Sequence, residues 1–204
     1  CAGIPFLVIE PAKTEYRTLA KNKKFGKVHV FTLGNESVAP FRINPFELIP
    51  GEVISAHIDM VKATFVSAFS MEEASMPQIL EEAIVRCYEK KGWNLDTNEN
   101  KEYDAFGDDK EKAFPILSDL LAEMQNIVEK KGFGDRMQAD YIGSLVSRLS
   151  NLTVGAKGRM LNCPYSVDFR FIAYKTKLYL WDSFLQEFRR LFAKNIRRIL
   201  TSVT

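Results

Sequence analysis

The sequence predicts an α/β chain that is mostly helical by residue count. Three observations carry this. Two short apolar runs, Ile4–Ile9 and Val28–Leu33, flank a charged stretch of helical character. From Val53 to about residue 150, apolar residues recur at helical spacing. A strand, a crossover helix and a second strand together imply a parallel pair. The expected layout is a partial parallel sheet in residues 1–52, an all-helical insertion in 53–150, and a return to the sheet core in 151–204. A basic amphipathic helix closes the last segment.

The first run, Ile4–Ile9, has almost no polar alternation and is rich in branched and aromatic residues, as in a strand buried on both faces. It stops at Glu10-Pro11. Groups that act on ligands lie just beyond the carboxyl ends of such strands, and here that place holds Glu10, Lys13 and Glu15. Ala12 to Asn22 is expected to be a short helix opening after Pro11. Val28–Leu33 is closed by the turn pair Gly34-Asn35. Phe41–Phe46 is expected to be extended, because Asn44 precedes a proline. Asn44 either points toward a neighbouring site or caps its own turn.

Val53, Ala56, Ile58, Val61, Phe65 and Phe69 mark the first long helix. A second starts near Ser75-Met76-Pro77, with Ile79, Leu80, Ala83, Ile84, Cys87 and Tyr88 inward, and stops at Lys90-Lys91-Gly92. The polar stretch Trp93–Asp109 reads as a loop. Ala113 to Lys131 reads as one helix, closed again by a Lys-Lys-Gly sequence. Asp135 to Leu149 reads as another. The repeated ending suggests two similar helical hairpins, although lysine and glycine are common at helix ends. Asp182 to Leu200 places Phe184, Leu185, Phe188, Leu191, Phe192, Ile196 and Ile199 on one face, to pack on the core or to meet a partner.

Composition narrows the function. The chain has 204 residues, 28 Lys and Arg against 26 Asp and Glu, and a formal net charge of +2. No apolar run approaches the roughly 20 residues that cross a bilayer, and no signal-peptide pattern opens the chain. Cys1, Cys87 and Cys163 lack C-x-x-C spacing and read as reduced thiols of a cytoplasmic protein. His29 and His57 are too scattered for a metal cluster and read as structural residues in a strand and a helix. Ser67, Ser70 and Ser75 have no neighbouring His–Asp pair and receive no nucleophilic role. The segment after Phe171 is basic, with Arg189, Arg190, Lys194, Arg197 and Arg198. It is either a solvated helix face or a surface for nucleic acid or anionic membrane.

Several segments carry a family resemblance. Ile9-Glu10-Pro11 and Thr14-Glu15-Tyr16 look like the end of the second core strand, and the turn after it, in the HerA/FtsK superfamily of P-loop ATPases. Phe41-Arg-Ile-Asn-Pro-Phe46 resembles that family's Asn-Pro segment after the third strand. Val154-Gly-Ala-Lys-Gly-Arg-Met-Leu161 resembles its glycine-basic stretch upstream of Walker B. Order and rough spacing match over residues 1–170. The resemblance implies a RecA-like sheet with a helical insertion, ATP and Mg²⁺ as cofactors, a hexameric ring, and movement along double-stranded DNA. It assigns catalytic roles to Glu15, polarising water or sensing the γ-phosphate, and to Glu10, supporting the strand end. It gives Lys13 and Arg159 to nucleotide binding, Lys13 offsetting carboxylate charge and Arg159 reaching phosphate in cis or across a subunit interface. No metal ligand is assigned.

The chain also departs from the family. A phosphate-cradling loop needs G-x-x-x-x-G-K-[ST], and Gly26-Lys27 is followed by Val28, which has no hydroxyl. In the family this loop lies before residue 1, so the chain is expected to be a fragment without Walker A and inactive by itself. The alternative is a complete small domain that never had the loop. Leu178 to Asp182 has the outline of a Walker B strand but lacks a second acid. Resemblance ends near Phe171, through a frame change or a divergent terminus. An open strand edge and the last helix both offer routes to a dimer. A competing reading is a non-enzymatic helical module that binds a protein or nucleic acid. A third pairs Glu10 and Glu15 as acids of a small hydrolase, although five residues and a proline separate them.

Overall fold

A computed structural model describes residues 15–25, 28, 30–31, 37, 40–69, 71, 75–132, 143 and 146–167. The chain divides into two compact units, Cys1–Phe41 with Val167–Thr204, and Arg42–Ser166. Among the described residues it is mostly helical, and its sheet is a two-stranded antiparallel one.

In the first unit the expected helix after Pro11 is a 3₁₀ helix, Glu15–Lys21, with no buried residue, followed by a second 3₁₀ turn, Lys23–Phe25. The Thr18 hydroxyl donates to Glu15 O at 2.7 Å. Such a local side-chain bond competes for the carbonyl that a regular α-turn would use. Asn22 ends the helix, its side-chain oxygen accepting from Lys24 N at 3.1 Å. Phe31 and Phe41 meet edge to face, 5.6 Å between ring centres. Val28, Val30 and Phe31 carry no strand pairing, and the rest of Val28–Leu33 and all of Ile4–Ile9 lie outside the described residues. So do the region around Leu178–Asp182 and the expected last helix.

The second unit is built on three long helices: α1 (Ile54–Phe69), α2 (Ser75–Lys90) and α4 (Leu117–Lys130). Their inward stripes follow the periodicity of the sequence. α1 buries Ile54, Ile58, Val61 and Phe65; α2 buries Ile79, Leu80, Ala83, Ile84, Cys87 and Tyr88; α4 buries Leu117, Leu120, Met124, Ile127 and Val128. At about 1.5–3 kcal/mol for each fully buried large apolar side chain, these stripes dominate the unit's stability. α2 packs on both α1 and α4.

The stops are where the lysine-glycine signals place them. α2 ends at Lys90 with Gly92 at φ +82°, and α4 ends at Lys130 with Gly132 at φ +61°, the left-handed conformation that follows a helix end. The lysines at each end pair with the facing helix. Lys90 pairs with Glu123, Lys91 Nζ lies 3.5 Å from Asp119, and Lys131 Nζ lies 2.7 Å from Glu82. The C-terminal end of each helix thus meets an earlier turn of the other, and α2 and α4 run antiparallel.

Two stretches depart from expectation. Trp93–Asp109 is no simple loop: β1 (Trp93–Asn94) and β2 (Glu99–Asn100) form a hairpin in the register Trp93↔Asn100 and Asn94↔Glu99. Asparagines make it. Asn94 Oδ1 accepts from Asp96 N and Thr97 N, both at 2.9 Å, and Asn98 takes the left-handed conformation at φ 60°. The expected helix from Ala113 to Lys131 is divided into α3 (Lys110–Ala113) and α4. Pro115 lacks the N–H that a continuous helix needs, and Phe114 before it is extended at φ −113°, ψ 144°. Asp119 then caps the new start, its Oδ2 accepting from Ile116 N at 3.0 Å. Among the described residues two short helices follow, α5 (Ser147–Ser150) and α6 (Gly155–Leu161). Tyr141 and the other early residues of the expected helix 135–149 lie outside the described residues, and Leu149 is fully buried.

Candidate functional site

Asn44-Pro45-Phe46 is the polar centre of the second unit. Five residues from other loops and helices close around it: Pro115, Pro164, Ser166, His57 and Tyr88. Asn44 is 2% exposed, so its amide must find partners inside the protein. Its Nδ2 donates to Pro115 O at 2.9 Å and to Pro164 O at 3.3 Å, while its Oδ1 accepts from Phe46 N at 3.0 Å. Asn44 N donates to the Ser166 hydroxyl at 3.0 Å. Asn44 therefore does cap its own turn, and in the same geometry ties the entry segment to the exit segment.

The two carbonyls that follow are held by helices. Pro45 O lies 3.1 Å from His57 Nε2 of α1, and Phe46 O accepts from the Tyr88 hydroxyl of α2 at 2.5 Å. His57 Nδ1 lies 3.1 Å from Glu52 Oε1, and Glu52 Oε2 accepts from Ile49 N at 3.0 Å. Glu47, 7% exposed, extends the network: its Oε1 pairs with Lys110 Nζ at 2.5 Å and its Oε2 accepts from Ser166 N at 2.6 Å. No buried side-chain nitrogen or oxygen among the described residues lacks a partner. His57 is 1% exposed, which keeps substrate from the ring. The network fixes chain geometry.

Arg42–Phe46 and α6 are direct neighbours. Ile43 N donates to Met160 O at 2.8 Å. Gly158 of α6 lies against Thr153, where an added Cβ would stand 2.1 Å from the Thr153 carbonyl oxygen. The glycine-basic stretch is thus a short helix whose Gly158 face is pressed on the preceding turn.

An open cleft of about 550 Å³ lies beside the hairpin, lined by Glu89, Trp93, Asn94, Asp96, Lys101 and Glu102 among others. Trp93 is buried behind it, its indole N–H donating to Ala113 O at 2.7 Å and its ring stacked on Phe114 at 5.6 Å. No group of three or more His, Cys, Asp or Glu among the described residues is arranged to hold a metal ion. Burial pushes the Cys87 thiol up to about 12, with Asp119 and Glu123 adding to the effect. Burial likewise pushes Cys163 up to about 11. Neither supplies a thiolate near neutral pH.

The residues singled out from sequence are placed as follows. Glu10 and Lys13 lie outside the described residues. Glu15 opens the exposed 3₁₀ helix of the first unit, and Arg159 is exposed on α6 of the second. Sequence reasoning missed Glu47, Glu52, Lys110 and Ser166. The partners of Glu47, Lys110 and Ser166 are remote in the chain, the Glu52 carboxylate bonds locally to Ile49 and His57, and the one sequence cue is a pair of carboxylates, Glu47 and Glu52, crowded into an otherwise apolar, proline-bearing segment. Compared with family models, curated proteins and solved structures, the chain finds no match.

Proposed function

We propose that this chain is part of a DNA-translocating, helicase-like P-loop ATPase, with residues 53–150 as its helical insertion. The single observation that carries the reading is the bond from Ile43 N to Met160 O. It joins two segments that resemble the same family, Phe41–Phe46 and Val154–Leu161, although they are remote in the chain. A shared ancestry predicts that such segments meet at the base of the insertion. In this reading the partial RecA-like parallel sheet belongs to residues 1–52 and 151–204. Glu15 and Glu10 act beside the γ-phosphate, and Lys13 and Arg159 bind nucleotide. ATP, Mg²⁺, double-stranded DNA and a hexameric ring belong to the intact cytoplasmic parent. The chain by itself turns over no ATP, since no G-x-x-x-x-G-K-[ST] run is present in it.

The second reading is a non-enzymatic helical module that binds a protein or nucleic acid. It is favoured by the closure of Arg42–Ser166 on its own core, with no buried side-chain nitrogen or oxygen among its described residues left without a partner. DNA sequence on both sides of the reading frame separates the two. An in-frame Walker A before Cys1 and a Walker B strand beyond residue 170 support the motor, and the joined protein is then expected to show DNA-stimulated ATPase activity that falls in Glu15→Gln. Stop codons on both sides without those motifs sink the motor and leave the module. No helix among the described residues is long and apolar enough to cross a membrane.

A further inference from the structure

The 3₁₀ segment of the first unit gathers cations and aromatic rings on a stretch that buries none of its residues. Every position from Glu15 to Phe25 is exposed except half-buried Leu19. Arg17, Lys21, Lys23 and Lys24 stand against Glu15 alone, so this short segment carries more net positive charge than the whole chain, whose formal charge is +2. The second unit treats its lysines otherwise: Lys62, Lys90, Lys91, Lys110, Lys112 and Lys131 each pair with a carboxylate. Among the described residues, Lys21, Lys23 and Lys24 stand in no such pair. Glu15 and Lys21 are the two ends of one 3₁₀ helix, about 12 Å apart along its axis at about 2.0 Å per residue. That exceeds the screening length of about 8 Å at physiological salt, so the carboxylate does little to neutralise the lysine.

We propose that Lys21, Lys23 and Lys24, with the rings of Tyr16 and Phe25, form a surface that binds single-stranded nucleic acid. The lysines meet the phosphates, and the rings offer faces on which unpaired bases stack. Tyr16 is 53% exposed and Phe25 38%. Asn22 fixes the backbone that carries the lysines: its N–H donates to Leu19 O at 3.0 Å, its carbonyl accepts from Phe25 N at 3.1 Å, and its Oδ1 accepts from Lys24 N at 3.1 Å. An ordered turn holds its cations in place before the ligand arrives, which lowers the entropy cost of binding.

The chemistry selects this ligand over other anionic partners. An anionic membrane is held by a continuous apolar face beside the cations. Here Tyr16 and Phe25 are separated along the chain by the cations themselves and by half-buried Leu19. A ring among cations suits a strand in which bases alternate with phosphates. Duplex DNA offers the phosphates, but its paired bases leave the rings unused. The site needs no nucleotide triphosphate, and it stands whether or not the ATPase reading does.

The test is fluorescence anisotropy of the full chain with a labelled oligothymidine of about 16 nucleotides. Log affinity should fall with log salt at a slope of about −2 or steeper, since each phosphate neutralised on a single strand contributes about −0.7. The combined substitution Lys21→Gln, Lys23→Gln and Lys24→Gln should weaken binding at least about tenfold at about 50 mM salt and flatten the slope by about 2. Tyr16→Ala should weaken binding about fivefold or more and leave the slope unchanged. A wild type that does not bind, or a triple variant that binds as the wild type does, overturns the site. So do phosphatidylserine vesicles that bind through the three lysines while the oligonucleotide stays free, since the patch would then be a membrane surface. If a variant misfolds by circular dichroism, lysine acetylation of the wild type decides. Protection of Lys21, Lys23 and Lys24 by the oligonucleotide, read by peptide mapping, supports the site, and equal modification with and without it refutes it.

Discussion

Asn44 commits both ends of its amide, and that makes its chemistry testable by an isosteric change. Asn44→Asp keeps the shape but turns the donor that faces Pro115 O and Pro164 O into an acceptor. Two carbonyls lose their donor and a charge is buried, so a loss of at least about 3 kcal/mol in urea unfolding is expected. Gly158→Ala is a second probe. An added Cβ would meet backbone at 2.1 Å, and backbone yields little, so a loss of about 1–3 kcal/mol is expected. The thiols give a third. With Cys87 at about 12, its thiolate fraction at pH 8 is on the order of 1 in 10⁴. Thiol labelling at pH 8, read by peptide mapping, should leave Cys87 and Cys163 unmodified until the protein unfolds. These same groups weaken the fold at high pH. Each thiol stays protonated in the folded state above the pH where it ionises in the unfolded chain, so its stabilisation is lost as pH rises from about 9 toward its folded value.

At the scale of elements, α1 is capped by a residue from another element. Asn98 of the hairpin accepts from Ile54 N at 2.7 Å through Oδ1 and donates to Glu52 O through Nδ2. Asn98→Gly keeps the φ of 60° accessible and removes only the cap, for an expected loss of about 1 kcal/mol. Asn98→Ala loses the cap and adds left-handed strain, so it should be the less stable of the two. The ion pairs between α2 and α4 behave differently. A hydrogen bond from Lys131 holds Glu82 below the usual carboxylate range, and one from Lys90 does the same for Glu123. Their contribution is present at neutral pH and disappears as pH falls through those lowered values. The helices themselves were legible from the chain: apolar periodicity and the two lysine-glycine endings mark α2 and the end of α4. The break at Pro115 was hidden because Phe114, Ile116 and Leu117 continue the apolar stripe through it. The polar centre was illegible for another reason. Only the Asn44–Phe46 bond is local, and the remaining partners of Asn44 at Pro115, Pro164 and Ser166 exist only once the unit has closed.

For the molecule, the second unit contains a reporter of its own. Trp93 is 4% exposed and packed among Tyr88, Phe106 and Phe114. In a Trp181→Phe background its fluorescence should shift to the red in one transition on unfolding. That transition should coincide with the loss of helical circular dichroism from Arg42–Ser166, as cooperative unfolding of one core requires. Two separated transitions would show that the hairpin and the helices unfold independently.

The bond from Asn44 N to Ser166 joins residues 122 apart in the chain. Closing a loop of that length costs about 4 kcal/mol of chain entropy, by the logarithmic length dependence. Contacts between α2, the hairpin and α4 span far fewer residues and form at lower entropic cost. The order of events during folding follows: the α2–α4 pair assembles early, and the entry and exit segments come together after the rate-limiting step. Substitutions at Asn44 and Ser166 should then leave the refolding rate nearly unchanged and accelerate unfolding, while Leu120→Ala in α4 should slow refolding. The residues that fasten the two ends thus determine how long the folded unit persists, and the helices between them determine how fast it forms.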